Sequence, residues 1–441
     1  MTRDHDQRPL SVPGHRLARL ARIGGLGAGL AGRVASGGAR ELAAGRRPDL
    51  ARLLMTPANA ARVAGELARM RGAAMKLGQL ISMDAGDMLP PELAAVFDRL
   101  RAEAHPMPPA QLKRVLAEGW GPDWLKRFER FEPRPMAAAS IGQVHRARTR
   151  DGRDLAIKVQ YPGVKRSIDS DVANLGAMIR MSGMLPAGSD IAPLLAAARA
   201  QLHEEADYAR EAVQLSRFGD LLAGDARFRV PRLAADLSTP SILAMSFEPG
   251  RPIESLAQAP RDTRDAAMAA LLELGLRELF DWRLMQTDPN FANYRVADDG
   301  AIVLLDFGAA REFSEDTVAQ FGALLRAGLA GDRAAVDRIA GEIGYFDETM
   351  PRGHRDRLVG LMLDTFAVMR DDAPFDFAGS GLAARLRDAA LEIAADRQGG
   401  PPPPVDGLFL QRKAAGMYLL GARLRARVAA RPLVERFIGP V

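Results

Sequence analysis

Two segments in the second half of this 441-residue chain constrain its fold most: Gln286-Thr287-Asp288-Pro289-Asn290-Phe291-Ala292-Asn293 and Leu304-Leu305-Asp306-Phe307-Gly308. In the first, an aspartate precedes an asparagine by five residues. In the second, an aspartate closes the apolar run Ile302-Val303-Leu304-Leu305, which reads as a short strand. Only a hairpin's length of chain separates Asn293 from that run. A metal-bound polyphosphate needs oxygen ligands at fixed separation, and a loop followed by a strand end supplies them. Taken singly, Asp-Phe-Gly arises by chance, and Asp288 and Asn293 could simply cap turns beside prolines. The conjunction, in this order, is specific.

Protein kinases use this arrangement: a catalytic-loop Asp, a metal-binding Asn five residues on, and then the Asp of Asp-Phe-Gly. Asp288 is then expected to orient or deprotonate the attacking hydroxyl or water. Asn293 and Asp306 are expected to bind Mg²⁺ bridging the phosphates of ATP. Upstream, Met136 to Tyr161 reads as two strands around a turn at Asp151-Gly152. Lys158 lies mid-strand after Leu155-Ala156-Ile157, where a buried ammonium needs opposite charge from phosphate and a helix carboxylate; the alternative is an edge-strand lysine facing solvent. Glu211 is the chosen partner. Glu204 and Glu205 compete with it, and a solvated acidic helix face is the bland reading. The 53 residues from Lys158 to Glu211 exceed protein-kinase spacing and require a helical insertion.

The phosphate lid departs most from a kinase. In place of Gly-x-Gly-x-x-Gly-x-Val the chain has Ala137-Ala138-Ala139-Ser140-Ile141-Gly142-Gln143-Val144, with two glycines replaced by alanine and only Gly142 in place. Each added Cβ hinders close approach to phosphate, so nucleotide handling should differ. Candidate ATP contacts are Ala137, Ala138, Ala139, Ser140, Ile141, Gly142, Val144 and Lys158. Met245 and Phe247, on the predicted strand Ser241 to Phe247, complete the set. No Ala-Pro-Glu follows Asp306-Phe307-Gly308 and helix resumes near Ser314, leaving little room for a peptide-docking segment. Phosphorylation of other proteins is not expected.

Composition excludes several rivals. There is no cysteine, hence no disulfide or thiolate metal site, as suits a reducing compartment. The six histidines form no His-Glu-x-x-His pattern, and neither a Gly-x-Ser-x-Gly elbow nor a P-loop is present. Residues 1 to 50 hold nine Arg against four acidic residues, an excess equal to the whole net charge of +5. A basic arm on a neutral body suits an anionic surface, membrane or nucleic acid, or is a solvated tail. Nucleic acid is disfavoured because the arm lacks interleaved aromatics. From His15 to Ala35, leucines at helical spacing alternate with Arg16, Arg19 and Arg22, but the charge-free run Ile23 to Gly32 falls far short of the ~20 apolar residues of a bilayer span. It suits an interfacial anchor, or packing on the body or a second copy. Helices are predicted over 57–86, 92–103 and 109–118, from about Ser167 to Arg217, and from Ser314 onward, broken at Pro401 to Pro404.

Together these motifs resemble the UbiB (aarF-domain) family of atypical kinases, particularly members associated with coenzyme Q biosynthesis. Lys76-Leu77-Gly78-Gln79 is similar to that family's Lys-x-Gly-Gln signature, and Glu205-Ala206-Asp207 to its Glu-x-Asp motif. From residues alone, Lys76 and Gln79 merely share a helix face. The resemblance implies an α+β, bilobal protein-kinase-like fold with an N-terminal helical extension packed over the active site. In it Lys76, Gly78 and Gln79 would be regulatory, with Lys76 near Glu205 and Asp207, and Glu211 would pair with Lys158. The expected division is 1–55 arm, 56–135 helical extension, 136–250 N-lobe with helical insertion and 251–441 helical C-lobe. The implied function is a Mg²⁺-ATP-dependent kinase or ATPase supporting ubiquinone biosynthesis, cytoplasmic and peripheral to a membrane. Its implied partners are ATP, a membrane or quinone-intermediate lipid, quinone biosynthesis enzymes and a second copy. The rival is a non-catalytic ATP-sensing scaffold for a lipid-modifying complex. Family members often carry C-terminal membrane spans, but residues 405 to 441, interrupted by Arg412, Lys413, Arg423, Arg425 and Arg427, are not expected to supply one.

Overall fold

The computed structural model describes residues 107–139, 141–181, 192–395 and 404–441. The predicted arm, the helices at 57–86 and 92–103, the Lys76-Leu77-Gly78-Gln79 motif and Ser140 lie outside them. The chain divides into two compact units, one running to Ser216 and including Arg232–Phe247, the other comprising Arg217–Pro231 and Glu248–Val441.

In the first unit, α1 (Pro109–Trp120) starts with proline at its first position, where the missing N–H costs nothing. Four strands follow, β1 (Phe128–Phe131), β2 (Ala137–Ala138), β3 (Gly142–Thr149) and β4 (Asp154–Gln160). Next come α2 (Val164–Met181), α3 (Ala192–Glu205) and α4 (Tyr208–Leu222), the last cut by the division at Ser216. After β5 (Phe228–Arg229) of the second unit, the chain returns as β6 (Ile242–Ser246). The antiparallel sheet has the order β1-β3-β4-β6, with β2 also on β3. The β3–β4 hairpin turns at Asp151-Gly152, as predicted, with Gly152 at φ +89°, a conformation open to glycine. One sheet face packs on Trp120, Trp124 and Phe128, burying Ile157, Val159, Ile242 and Ala244. The Trp120 indole N–H donates to the Leu237 carbonyl at 2.8 Å, so its polar edge is satisfied inside the core.

The second unit contains β5, β7 (Arg251–Pro252), α5 (Arg261–Leu276) and a single π-helical turn, Arg277–Asp281. Then come β8 (Leu284–Gln286), β9 (Tyr294–Val296), β10 (Ile302–Leu304) and β11 (Ala310–Glu312). The sheet order is β5-β10-β9-β7, and β8 pairs separately with β11. Helices α6 (Glu315–Ala330), α7 (Arg333–Ile343) and α8 (Arg352–Ala367) pack around Leu324, Val336, Tyr345 and Phe346. Ser314 caps α6 by accepting the Thr317 N–H at 3.0 Å. The remainder is β12 (Phe375–Asp376), α9 (Leu382–Ala395), α10 (Val405–Leu424), β13 (Arg427–Val428) and α11 (Ala430–Ile438). The β12–β13 pair is a second departure from a stretch expected to be helical apart from the break at Pro401 to Pro404, because two-residue strands carry no readable alternation. Among the described residues, no helix is long and apolar enough to cross a membrane.

Candidate active site

In the first unit, Lys158 lies on β4, which is flanked by β3 and β6, and only 7% of the residue is exposed. The edge-strand alternative is therefore excluded. Lys158 Nζ donates to both carboxylate oxygens of Glu211, at 2.8 and 2.9 Å, in the first turn of α4. A buried lysine keeps its charge most readily beside such a carboxylate. The required insertion is present as α2 and α3. The Glu205-Ala206-Asp207 segment forms the junction between α3 and α4: the Asp207 carbonyl accepts the Glu211 N–H at 3.0 Å, and Gln160, two residues beyond Lys158, donates to the Ala206 carbonyl at 2.9 Å. Glu205 is buried and Asp207 half-buried.

Register places the ATP-binding candidates. Val144 opposes Lys158, Ala156 opposes Met245 and Lys158 opposes Leu243. Paired residues share a face, and so do residues two apart, so Val144, Ala156, Leu243 and Met245 form an apolar surface around Lys158. Such a surface suits the flat face of a purine. Phe247 continues beyond β6, its N–H donating to the Asp154 carbonyl, with Arg146 over its ring. In the lid, exposed Ala137 and Ala138 pair with Val144 and Gln143, and Ala139 N–H donates to the Gly142 carbonyl at 2.9 Å. Ile141 is buried. Tyr208, unmarked in the sequence, is fully buried, with Lys158 Nζ 5.2 Å from its ring centroid. A hydrogen-bond chain secures the base of the lid: the Gln143 side chain accepts the Met107 N–H and donates to His145 Nε2, whose Nδ1 then donates to the Glu132 carbonyl. Burial pushes the His145 imidazole below its ordinary value, consistent with the neutral tautomer this chain requires.

In the second unit, two strand pairings assemble the acidic group. Gln286 opposes Ala310, and the Thr287 N–H and hydroxyl both donate to the Ala309 carbonyl, which sets Asp288 beside the Asp306-Phe307-Gly308 strand end. The β9–β10 hairpin continues to Leu305, whose N–H donates to the Asn293 carbonyl at 3.0 Å, one residue before Asp306. Asn293 Nδ2 donates to the Asp288 carbonyl and carboxylate at 3.3 and 3.4 Å. Turn capping falls instead to Asn290, which accepts the Ala292 N–H. Asp306 Oδ1 accepts the Gly308 N–H at 2.9 Å, and Phe307 is buried against Phe218 with centroids 4.8 Å apart.

The donor chemistry fits magnesium. With Asn293 Nδ2 committed to Asp288, its amide oxygen is the atom left for a cation, and Asp306 adds a carboxylate; both are hard oxygen donors. Among the described residues, no cluster of three or more His, Asp or Glu could hold a metal unaided. Two protein oxygens completed by phosphates and water is the usual way Mg²⁺ is held at a nucleotide.

A lysine–glutamate pair on a five-stranded antiparallel sheet, and an Asp-Asn loop beside Asp-Phe-Gly, are parts of a protein-kinase-like enzyme. Residues 99–340 match the ABC1 atypical kinase-like domain. The chain is 36% identical over 421 residues to the yeast mitochondrial atypical kinase COQ8, covering 95% of this chain and 84% of that protein. It is 37% identical over 431 residues to rat mitochondrial atypical kinase COQ8B, covering 97% and 81%. Against the nematode atypical kinase coq-8 it is 35% identical over 95% of this chain, but spans only 57% of that longer protein. The chain belongs to the ABC1 (UbiB) family of atypical kinases, whose kinase-like domain implies use of ATP. The α+β kinase-like fold also agrees with solved Rv3197 of Mycobacterium tuberculosis, in complex with erythromycin, at TM-score 0.60 and 24% identity over 87% of this chain and 97% of that one.

Residues that sequence reasoning missed are Tyr208, Glu278, Tyr294, Lys413 and Gly416. Lys413 Nζ lies 3.1 Å from Glu278 Oε2, donates to the Gln286 carbonyl at 2.8 Å and faces the Tyr294 hydroxyl at 3.4 Å. Burial opposes its charge, yet Glu278 and Tyr294 hold Lys413 above the ordinary lysine range, with two hydrogen-bond acceptors and one ion-paired carboxylate around the ammonium. Burial also pushes the Glu278 carboxyl up, against the pull of Lys413. The oxygens around Nζ favour the ion pair. In the sequence, Arg412-Lys413 simply interrupts an apolar run, and no spacing signals burial.

Proposed function

We propose that this protein binds ATP with Mg²⁺ and turns it over, as an ATPase or a kinase of small molecules, in support of ubiquinone biosynthesis at a membrane surface. The carrying observation is the buried, two-pronged Lys158–Glu211 pair, which holds the ammonium in one place for nucleotide phosphate. Val144, Ala156 and Met245 offer the apolar face for the base. Asp288, held by Asn293, takes the proton of the attacking hydroxyl or water or orients it. Mg²⁺, held by Asn293 and Asp306, would neutralise phosphate charge when bound. The COQ8 names of the relatives support the ubiquinone assignment. The basic stretch at residues 1–50 supports peripheral contact with anionic lipid, and Lys76, Gly78 and Gln79 are read as regulators acting with Glu205 and Asp207.

Purified protein with anionic liposomes should hydrolyse ATP, and Asp306→Asn should abolish Mg²⁺-dependent nucleotide binding. Unchanged nucleotide affinity in that variant contradicts the metal assignment. Asp288→Asn separates enzyme from scaffold, since a scaffold keeps its cellular role when the reacting carboxylate is lost.

A further inference from the structure

A buried ion pair of the second unit sits beneath the Asp288 loop. Glu278, 1% exposed, enters the interior from the π-helical turn after α5, the kind of helix irregularity that recurs at functional sites. Lys413, 5% exposed, reaches it from α10 and donates to the carbonyl of Gln286, two residues before Asp288. Its third neighbour, the Tyr294 hydroxyl, belongs to the residue after Asn293. One ammonium therefore holds both ends of the Asp288-to-Asn293 loop. A second contact stands independently: a Cβ on Gly416, one turn along α10, would lie 2.1 Å from Pro289 Cβ. At that point the helix backbone itself abuts the residue following Asp288, and only glycine leaves room.

We propose that α10 is the positioning element of the catalytic loop, with Lys413 tethering its two ends and Gly416 setting the depth of Pro289. This rests on the reading of Asp288 as the group that meets the phosphoryl acceptor. Removing the paired charges together is informative, because removing Lys413 alone strands a buried carboxylate and threatens folding. In Lys413→Met/Glu278→Gln the interior stays neutral, and in Gly416→Ala only the contact with Pro289 changes.

Two measurements on the full chain test it. Without nucleotide, amide hydrogen exchange across 284–296 should accelerate in both variants while β3 and β4 keep wild-type protection. In turnover, kcat should fall by roughly tenfold to a hundredfold, the scale of a catalytic group displaced by up to about 1 Å, with KM for ATP nearly unchanged. Unaltered exchange over 284–296, or faster exchange with wild-type kcat, overturns the proposal. If the wild type hydrolyses no ATP yet both variants loosen 284–296, the tether stands and the nucleotide reading falls.

Discussion

Replacing Gly142 with alanine tests whether the lid strand and the lysine strand are packed backbone to backbone. A Cβ there would lie 2.4 Å from the Val159 carbonyl oxygen, 3.1 Å from its carbon and 3.0 Å from the Tyr208 hydroxyl. Ordinary contact begins at 3.4 Å, so β4 must retreat by about 1 Å at Val159. The obstruction is main chain and cannot swing aside, and Val159 adjoins Lys158. Overpacking of this kind costs roughly 1–3 kcal/mol. At about 1.4 kcal/mol per factor of ten, amides in β3 and β4 should exchange roughly five to 150 times faster. Exchange resolved by segment is the right assay, because a chain of two units has no single unfolding free energy. Gly224→Ala is the control, as nothing lies within 4 Å of the added atom. Wild-type protection of β3 and β4 in Gly142→Ala would refute the reasoning.

Further outcomes follow from the same geometry. Gly275→Ala, in α5 with open space around the new atom, should stabilise that helix by about 0.5–1 kcal/mol, seen as slower exchange in 261–276; faster exchange there would contradict it. Asp225 is held down to about 2 by hydrogen bonds from Arg227 and then Arg277, against an ordinary 3.8. Its folded-state value is depressed, so its contribution, at most about 2 kcal/mol, is present above the ordinary value and lost as pH falls through about 2. Segment-resolved amide exchange over 217–231 in wild type and Asp225→Asn, each compared at matched pH, should therefore converge on acidification, and a gap independent of pH would refute the assignment.

What the sequence could disclose was set by how local each signal is. Lys158 stands in a β-branched and apolar run ended by a glycine turn, and Asp306 ends an apolar strand, so both are legible without tertiary knowledge. Glu211 had to be chosen among neighbouring acids. The structure brings it to Lys158, while Asp207 turns its carboxylate to the Arg210 N–H. Lys413, Glu278 and Gly416 were not legible, since a buried ion pair between residues 135 apart looks on paper like two solvated side chains. Strands β5, β7, β8, β9 and β11, of two or three residues each, are too short for period-two patterning to show. Their pairing partners, rather than their composition, make them strands.

The ladder joining β9 to β10 has a consequence for how this enzyme can vary. Because Asn293 and Asp306 stand at the open end of one hairpin, the interval between them is inherited from the strand ladder. The closed end, around Asp298-Asp299-Gly300, turns on a glycine at φ +89° and has no part in setting that interval. Extra residues grafted at the tip would leave the two oxygens where they are. Deleting a single residue within either strand would flip one of them to the opposite face. The tip is thus the natural place for a reporter label, and lineages should be free to lengthen it while the strand lengths stay frozen.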